Sequence, residues 1–114
     1  MKPPKRIIVG PHVYRVKHDQ AVVDRAAVEM KAELLGHCDE KTLTIAVAPG
    51  QAMSQEQDTL LHETLHAVFA NVGLNDVLED DMEERIIRPL ATCLLQVLWV
   101  NPDLLAYLTA RENR

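Results

Sequence analysis

The sequence predicts an α+β fold in which a short antiparallel or mixed sheet packs against helices. Two observations favour this class. Four short apolar or alternating segments occur before residue 50, whereas the later residues repeat apolar side chains at three- and four-residue steps. The chain has 114 residues, of which 47% are hydrophobic and 25% charged, which is typical of one globular domain. We therefore treat residues 1–114 as a single domain.

The N-terminal half is predicted to hold four strands and one helix. The strand segments are residues 7–9, 13–17, 34–38 and 42–47. Gly10-Pro11 and Pro49-Gly50 end two of them, and residues 39–41 join the last two as a hairpin turn. A helix is predicted from residue 19 to about residue 31, because Val22, Ala26 and Met30 recur at helical steps.

The C-terminal half is predicted to be helical. Ser54, with Gln57 three residues later, has the pattern of a capping box, and Gly73 ends a helix of about 17 residues. Asp80 and Glu83 form a second capping-box pattern. In the helix that follows, Pro89 predicts either a kink or the start of a new helix.

The last part of the chain is predicted to complete the core. Residues 94–100 form an apolar helix in which Trp99 is expected to be buried. Asn101-Pro102 breaks that helix. A short amphipathic helix carrying Leu104, Leu105 and Leu108 is then expected to cover the core.

The stretch His62-Glu63-Thr64-Leu65-His66 has the pattern H-E-x-x-H and lies inside the first of these C-terminal helices. On a helix, two histidines four residues apart are separated by about 40° around the axis and about 6 Å along it, so both reach one Zn²⁺. Glu63 is rotated about 60° from His66 and is placed to contact a water on the metal. Half-buried histidines on an amphipathic helix are the alternative, but chance produces the pattern in under ~1% of such chains.

The third zinc ligand is predicted to be a carboxylate. No histidine follows His66, and Phe69 and Val72 stand where the longer metzincin motif has glycine and histidine. Residues 79–84 are an acidic run, most of which is expected to be a solvated helix N-terminus. Glu83 and Glu84 both border apolar positions of the following helix, so the residues alone leave both as candidates.

Residues 60–108 resemble the small, often phage- or prophage-borne, metallopeptidases of the ImmA/IrrE type. The shared elements are residues 60–67, 73–74, 83–84, 95–98 and 101–102. The segment from Glu84 to Ala91 is similar to the E-x-x-A-N-x-F-A helix of that family, with Ile87, Arg88 and Leu90 replacing its Ala, Asn and Phe. The resemblance implies a minimal zincin-like domain, with an active-site helix and a glutamate-bearing C-terminal helix. It also favours Glu84 as the third ligand.

The implied function is a gluzincin-like zinc metallopeptidase. His62, His66 and Glu84 would hold Zn²⁺, and Glu63 would be the general base for a zinc-activated water that hydrolyses a peptide or protein substrate. One strand of the hairpin would hold the substrate by strand addition. The alternative is a catalytically weak or silent zinc-binding interaction or regulatory module of a phage or prophage. The small size and the lack of a clear oxyanion stabiliser among His37, Tyr14 and Tyr107 motivate this alternative.

Charge and composition exclude other classes. The net charge is −5, and the basic residues 1–18 are a short arm, so nucleic acid is not an expected partner. No apolar run reaches about 18 residues, so no membrane partner is expected, and residues 7–9 are too short for a signal peptide. Cys38 and Cys93 fit a reduced, cytoplasmic protein, with both thiols structural. The oligomeric state is left open.

Overall fold

The computed structural model describes residues 1–112, and within them a small mixed sheet of four strands is combined with five helices. The α+β class is therefore confirmed. In chain order the elements are β1 (Arg6–Val9), β2 (His12–His18), α1 (Gln20–Met30), β3 (Gly36–Asp39), β4 (Thr44–Val47), α2 (Met53–Asn71), α3 (Leu74–Val77), α4 (Asp80–Val100) and α5 (Pro102–Thr109).

The sheet has the strand order β1-β2-β4-β3. β1 and β2 form an antiparallel hairpin whose turn contains Gly10, at a φ of 57°. β2 and β4 are parallel, whereas β3 and β4 form the predicted antiparallel hairpin. The Asp39 carboxylate holds the second turn by accepting hydrogen bonds from the N–H groups of Lys41 and Thr42. In this order β3 is an edge strand of the sheet.

Helices α1 and α2 pack on opposite faces of the sheet. Along β4 successive side chains point to opposite faces. Ile45 and Val47 pack with Ala67 of α2, whereas Ala46 packs with Val23 of α1. Asp19 caps α1 by accepting hydrogen bonds from two N–H groups of its first turn, so the predicted helix is confirmed. The H-E-x-x-H motif on α2 therefore lies over one face of the sheet.

The two predicted capping boxes are wrong. Helix α2 begins at Met53 after Ala52, and α4 begins at Asp80 after Glu79; neither start has a side-chain cap. Ser54 therefore lies within the first turn of α2. The Glu83 side chain is engaged elsewhere, by a histidine of α2. A capping pattern is only a local preference, and tertiary contacts override it here.

Helix α4 continues through Pro89, so of the two predicted alternatives, a kink or a new helix, the start of a new helix is wrong. Proline removes the hydrogen bond to the carbonyl four residues earlier, which here belongs to Arg85. Both residues are exposed, so water can bond that carbonyl. One long helix therefore joins the acidic run to the apolar segment.

The prediction that the C-terminal segment completes the core is wrong. Trp99 is 52% exposed, and α5 forms after Pro102 but has no buried residue. The buried positions of α4 are Glu83, Ile87 and Ala91, all in the part of the helix that packs against α2. Among the described residues no single helix is long and apolar enough to cross a membrane, although α4 and α5 pass that test as a bent pair.

Candidate metal centre

The H-E-x-x-H motif brings three side chains of metal-ligand type together on α2. Ligand-type atoms of His62, Glu63 and His66 all lie within 4.8 Å of one another. The two imidazole rings have their centroids 5.0 Å apart. Both histidines are partly buried, and Glu63 is buried. The helical spacing therefore places both imidazoles on one face, as the motif requires.

Helix α4 adds a carboxylate to this cluster. The Glu84 side chain spans the two histidines, with Oε1 2.8 Å from Nε2 of His62 and Oε2 2.9 Å from Nε2 of His66. Ile87 and Ala91 are fully buried and hold this part of α4 against α2. Glu84 lies beside that buried face and is partly exposed, so its carboxylate reaches the cluster from the solvent-exposed edge of the interface between α2 and α4.

Glu83, the other candidate ligand, contacts a different atom. Its Oε2 lies 2.6 Å from Nδ1 of His66, on the side of the ring away from Glu84. The Glu83 side chain is nearly as inaccessible as the core residues around it, with 9% of its surface exposed. Neighbouring glutamates thus bind opposite nitrogens of one imidazole, an arrangement that the sequence analysis did not predict.

Gly36 of β3 allows the motif helix to approach the edge strand closely. A Cβ atom at Gly36 would lie 2.6 Å from Cγ2 of Thr59 and 3.2 Å from Cγ of Glu63. The Thr59 hydroxyl also bonds Gln51, which anchors the start of α2 to the end of β4. Sequence analysis missed both contacts, although a glycine within a strand is a known sign of close backbone approach.

An open cleft of about 780 Å³ contains the cluster and is bounded by α2, α4 and the segment from Leu34 to Cys38. Carboxylates dominate the charged groups of its lining, with Arg88 as the one Lys or Arg side chain among the described lining residues. The acidic side chains of the lining are Glu33, Glu40, Asp58, Glu63, Asp80, Asp81, Glu83 and Glu84. This charge distribution favours cations and disfavours polyanions.

Burial and mutual contact shift the pKa values of the cluster. Burial raises the pKa of Glu63 to about 7, against the opposing effect of His66. Burial also lowers the pKa of His62. For His66 burial acts in the same downward direction, but the hydrogen bond to Glu83 and the nearby carboxylates raise its pKa overall. The charges of His62 and His66 outweigh burial at Glu84 and lower its pKa.

The remaining cleft candidates differ in position. His37 and Cys38 line the cleft, whereas Tyr14 lies in the core and Tyr107 on the exposed surface of α5. Burial and the charge of Glu63 raise the pKa of the Cys38 thiol, which keeps it protonated. Cys93 is exposed on α4. Of the three candidates for stabilising an oxyanion, His37 alone lines the cleft.

No protein family model, curated protein or solved structure matches this chain.

Proposed function

We propose that this protein is a zinc-dependent metallopeptidase in which His62, His66 and Glu84 hold the ion. The observation that carries the proposal is the convergence of both histidine Nε2 atoms on one carboxylate, at 2.8 and 2.9 Å. Two imidazoles and a carboxylate are the ligand set of His₂Glu catalytic zinc sites, which leave the fourth position for water. Mg²⁺ and Ca²⁺ prefer all-oxygen sites, so the donors favour zinc.

Glu63 is the proposed general base. Its carboxylate lies within reach of the two histidines at the buried wall of the cleft. Zinc bound there would polarise the scissile carbonyl and lower the pKa of a coordinated water to about 7. Glu63 then accepts a proton from the attacking water and donates it to the leaving amine. Burial raises the pKa of Glu63 to about 7 in the metal-free cleft, and a nearby cation favours the ionised carboxylate, which is the form that accepts a proton.

The proposed substrate is a peptide or protein segment in an extended conformation. β3 is an edge strand and its residues line the cleft, so its backbone N–H and C=O groups are available for pairing with an added strand. The acidic lining argues against nucleic acid as the ligand. We interpret the sheet, α2 and α4 together as a minimal zincin-like domain of a cytoplasmic protein.

Metal analysis and peptide hydrolysis on a matched set of variants test the proposal. Glu63→Gln is expected to retain one zinc per chain and lose hydrolysis, because the general base is removed and the ligands remain. His62→Gln and Glu84→Gln are expected to lose zinc and hydrolysis together. Glu79→Gln, the same change at an exposed position outside the cleft, is expected to behave as the parent. Hydrolysis by Glu63→Gln at the parental rate would refute the mechanism.

A catalytically silent zinc-binding module, with an interaction or regulatory role in a phage or prophage, is the second candidate function. The scarcity of oxyanion donors favours it, since His37 is the sole one of three candidates that lines the cleft. This candidate predicts stoichiometric zinc in the parent, without hydrolysis of any peptide. Hydrolysis that a chelator abolishes and added zinc restores would exclude it.

A further inference from the structure

Both ring nitrogens of His66 are engaged by carboxylates of α4. Nδ1 lies 2.6 Å from Oε2 of Glu83, and Nε2 lies 2.9 Å from Oε2 of Glu84. A neutral imidazole carries one N–H donor and one lone pair, so a histidine that binds a metal through Nε2 must carry its proton on Nδ1. Glu83 is therefore positioned to accept the hydrogen bond from that Nδ1–H.

The position of Glu83 is determined by packing. It lies four residues before Ile87 and eight before Ala91, and all three are buried against α2. A carboxylate in such a place is costly unless it is hydrogen-bonded, and His66 provides the bond. The histidines differ in this respect, since among residues 1–112 no protein group bonds Nδ1 of His62.

A role for Glu83 at the helix N-terminus does not account for its contact. Asp80 and Asp81 lie in the first turn, where carboxylates interact favourably with the helix dipole, and both are exposed. The Glu83 side chain instead reaches across to α2. Its geometry is that of a carboxylate–histidine pair behind a metal ligand.

We propose that Glu83 is a positioning residue that fixes the tautomer and ring orientation of His66, and that it is not itself a zinc ligand. This inference rests on the proposed function, because it requires His66 to bind the metal. By holding the proton on Nδ1, Glu83 leaves the Nε2 lone pair facing the cleft. Removing such a partner of a ligating histidine typically lowers metal affinity about 10–100-fold.

Metal competition titrations test this assignment. Zinc affinity is measured against a chromophoric chelator, and Co²⁺ is added as a spectroscopic probe of the ligand set. Glu83→Ala is expected to bind zinc about 10–100-fold more weakly, still at one ion per chain. Glu83→Gln is expected to lose less affinity, since its amide oxygen still accepts the Nδ1–H, although more weakly than a carboxylate. Neither should alter the pattern of Co²⁺ absorption bands, whereas Glu84→Gln should.

A second readout reports the tautomer directly. Two-bond proton–nitrogen NMR spectra of the metal-free protein, recorded at alkaline pH where the imidazole is neutral, identify which nitrogen of His66 carries the proton, and the parent should show Nδ1–H. Glu83→Ala is expected to shift that population towards Nε2–H, which a purely structural role for Glu83 would not require. The exposed Glu79→Gln variant, with the same loss of charge, should leave the affinity and the tautomer unchanged.

The outcomes separate this inference from the proposed function. Absence of zinc and Co²⁺ binding in the parent would refute the proposed function. Binding by the parent, with parental affinity in Glu83→Ala, would refute the inference alone. A change of the Co²⁺ bands in the Glu83 variants would make Glu83 a ligand and also overturn it. If Glu83→Ala does not fold, Glu83→Gln decides, because parental affinity in that variant contradicts the proposed role.

Discussion

Replacing Glu63 by glutamine should stabilise the metal-free protein at neutral and alkaline pH, although it removes the proposed general base. Glu63 is 8% exposed, and within residues 1–112 its carboxylate accepts no hydrogen bond. Burial therefore raises its pKa from 4.5 to about 7. Glutamine has nearly the same shape but cannot ionise, so the variant avoids the cost of burying a charge.

The size and the pH window of this effect follow from the pKa shift. Each pKa unit corresponds to about 1.4 kcal/mol, so the rise from 4.5 to about 7 corresponds to about 3 kcal/mol. Between these two pH values folded Glu63 still holds a proton that the unfolded chain has released, so stability falls as pH rises. The cost is absent below pH 4.5 and complete above about pH 7. Glu63→Gln should therefore gain about 3 kcal/mol on the parent across this window.

Urea unfolding of chelator-treated protein measures the effect. Free energies of unfolding are determined from about pH 4.5 to about pH 8.5 for the parent, Glu63→Gln and Glu79→Gln. The exposed Glu79 is the control, and its variant should follow the parent. If the difference between Glu63→Gln and the parent does not change with pH, Glu63 titrates normally and the burial argument is wrong. Saturating zinc should reduce the difference, because a nearby cation favours the ionised carboxylate of the parent.

Three further substitutions test the packing around the site. Gly36→Ala should destabilise the fold by about 1–3 kcal/mol in urea unfolding, because the new Cβ meets Thr59 and Glu63. The variant should also hydrolyse substrate more slowly without releasing zinc. Parental stability and rate would contradict the close approach of α2 to β3. Ile87→Ala should cost about 2–5 kcal/mol in the same assay, since Ile87 of α4 is fully buried against α2. A loss below about 1 kcal/mol would mean that the packing of α4 on α2 does not depend on Ile87. Gln51→Ala should cost about 1–3 kcal/mol by removing hydrogen bonds of the Gln51 side chain, including one accepted from the Thr59 hydroxyl and one donated to the Ala48 carbonyl. The Thr59 hydroxyl keeps its bond to the Gln55 carbonyl, so Thr59→Val combined with Gln51→Ala should add little more if Thr59 and Gln51 act as one pair.

The parts of the fold that were predictable from the sequence depend on neighbouring residues. Asp19 caps α1 through N–H groups two and three residues away, so its role is visible in the sequence. The four strands were predicted for the same reason, since alternation along β4 reports that Ile45 and Val47 share one face. The spacing of His62 and His66 likewise predicts their relative position, because side chains four residues apart on a helix lie on one face.

The incorrect predictions concern features that depend on what lies opposite a segment. Residues 94–100 are apolar, which predicted a buried Trp99, but the buried face of α4 ends at Ala91. Periodicity identifies the apolar face of a helix but not whether another element covers it. Pro89 is a comparable case, since the cost of a proline in a helix depends on whether water reaches the freed carbonyl. Neither exposure can be obtained from the local sequence.

The separate roles of Glu83 and Glu84 follow from how α4 is rotated against α2. Successive residues of a helix are about 100° apart, so these two glutamates cannot approach the same atom from the same direction. Ile87 and Ala91 set the rotation because they are fully buried, and Glu83, four residues before Ile87, points into the same interface. Glu84 therefore faces the cleft. A rotation of α4 by one residue that brought Glu84 to the position of Glu83 would place Arg85 at the cleft in the position of Glu84. It would also expose Ile87, which is why core packing and ligand choice are one problem in this protein.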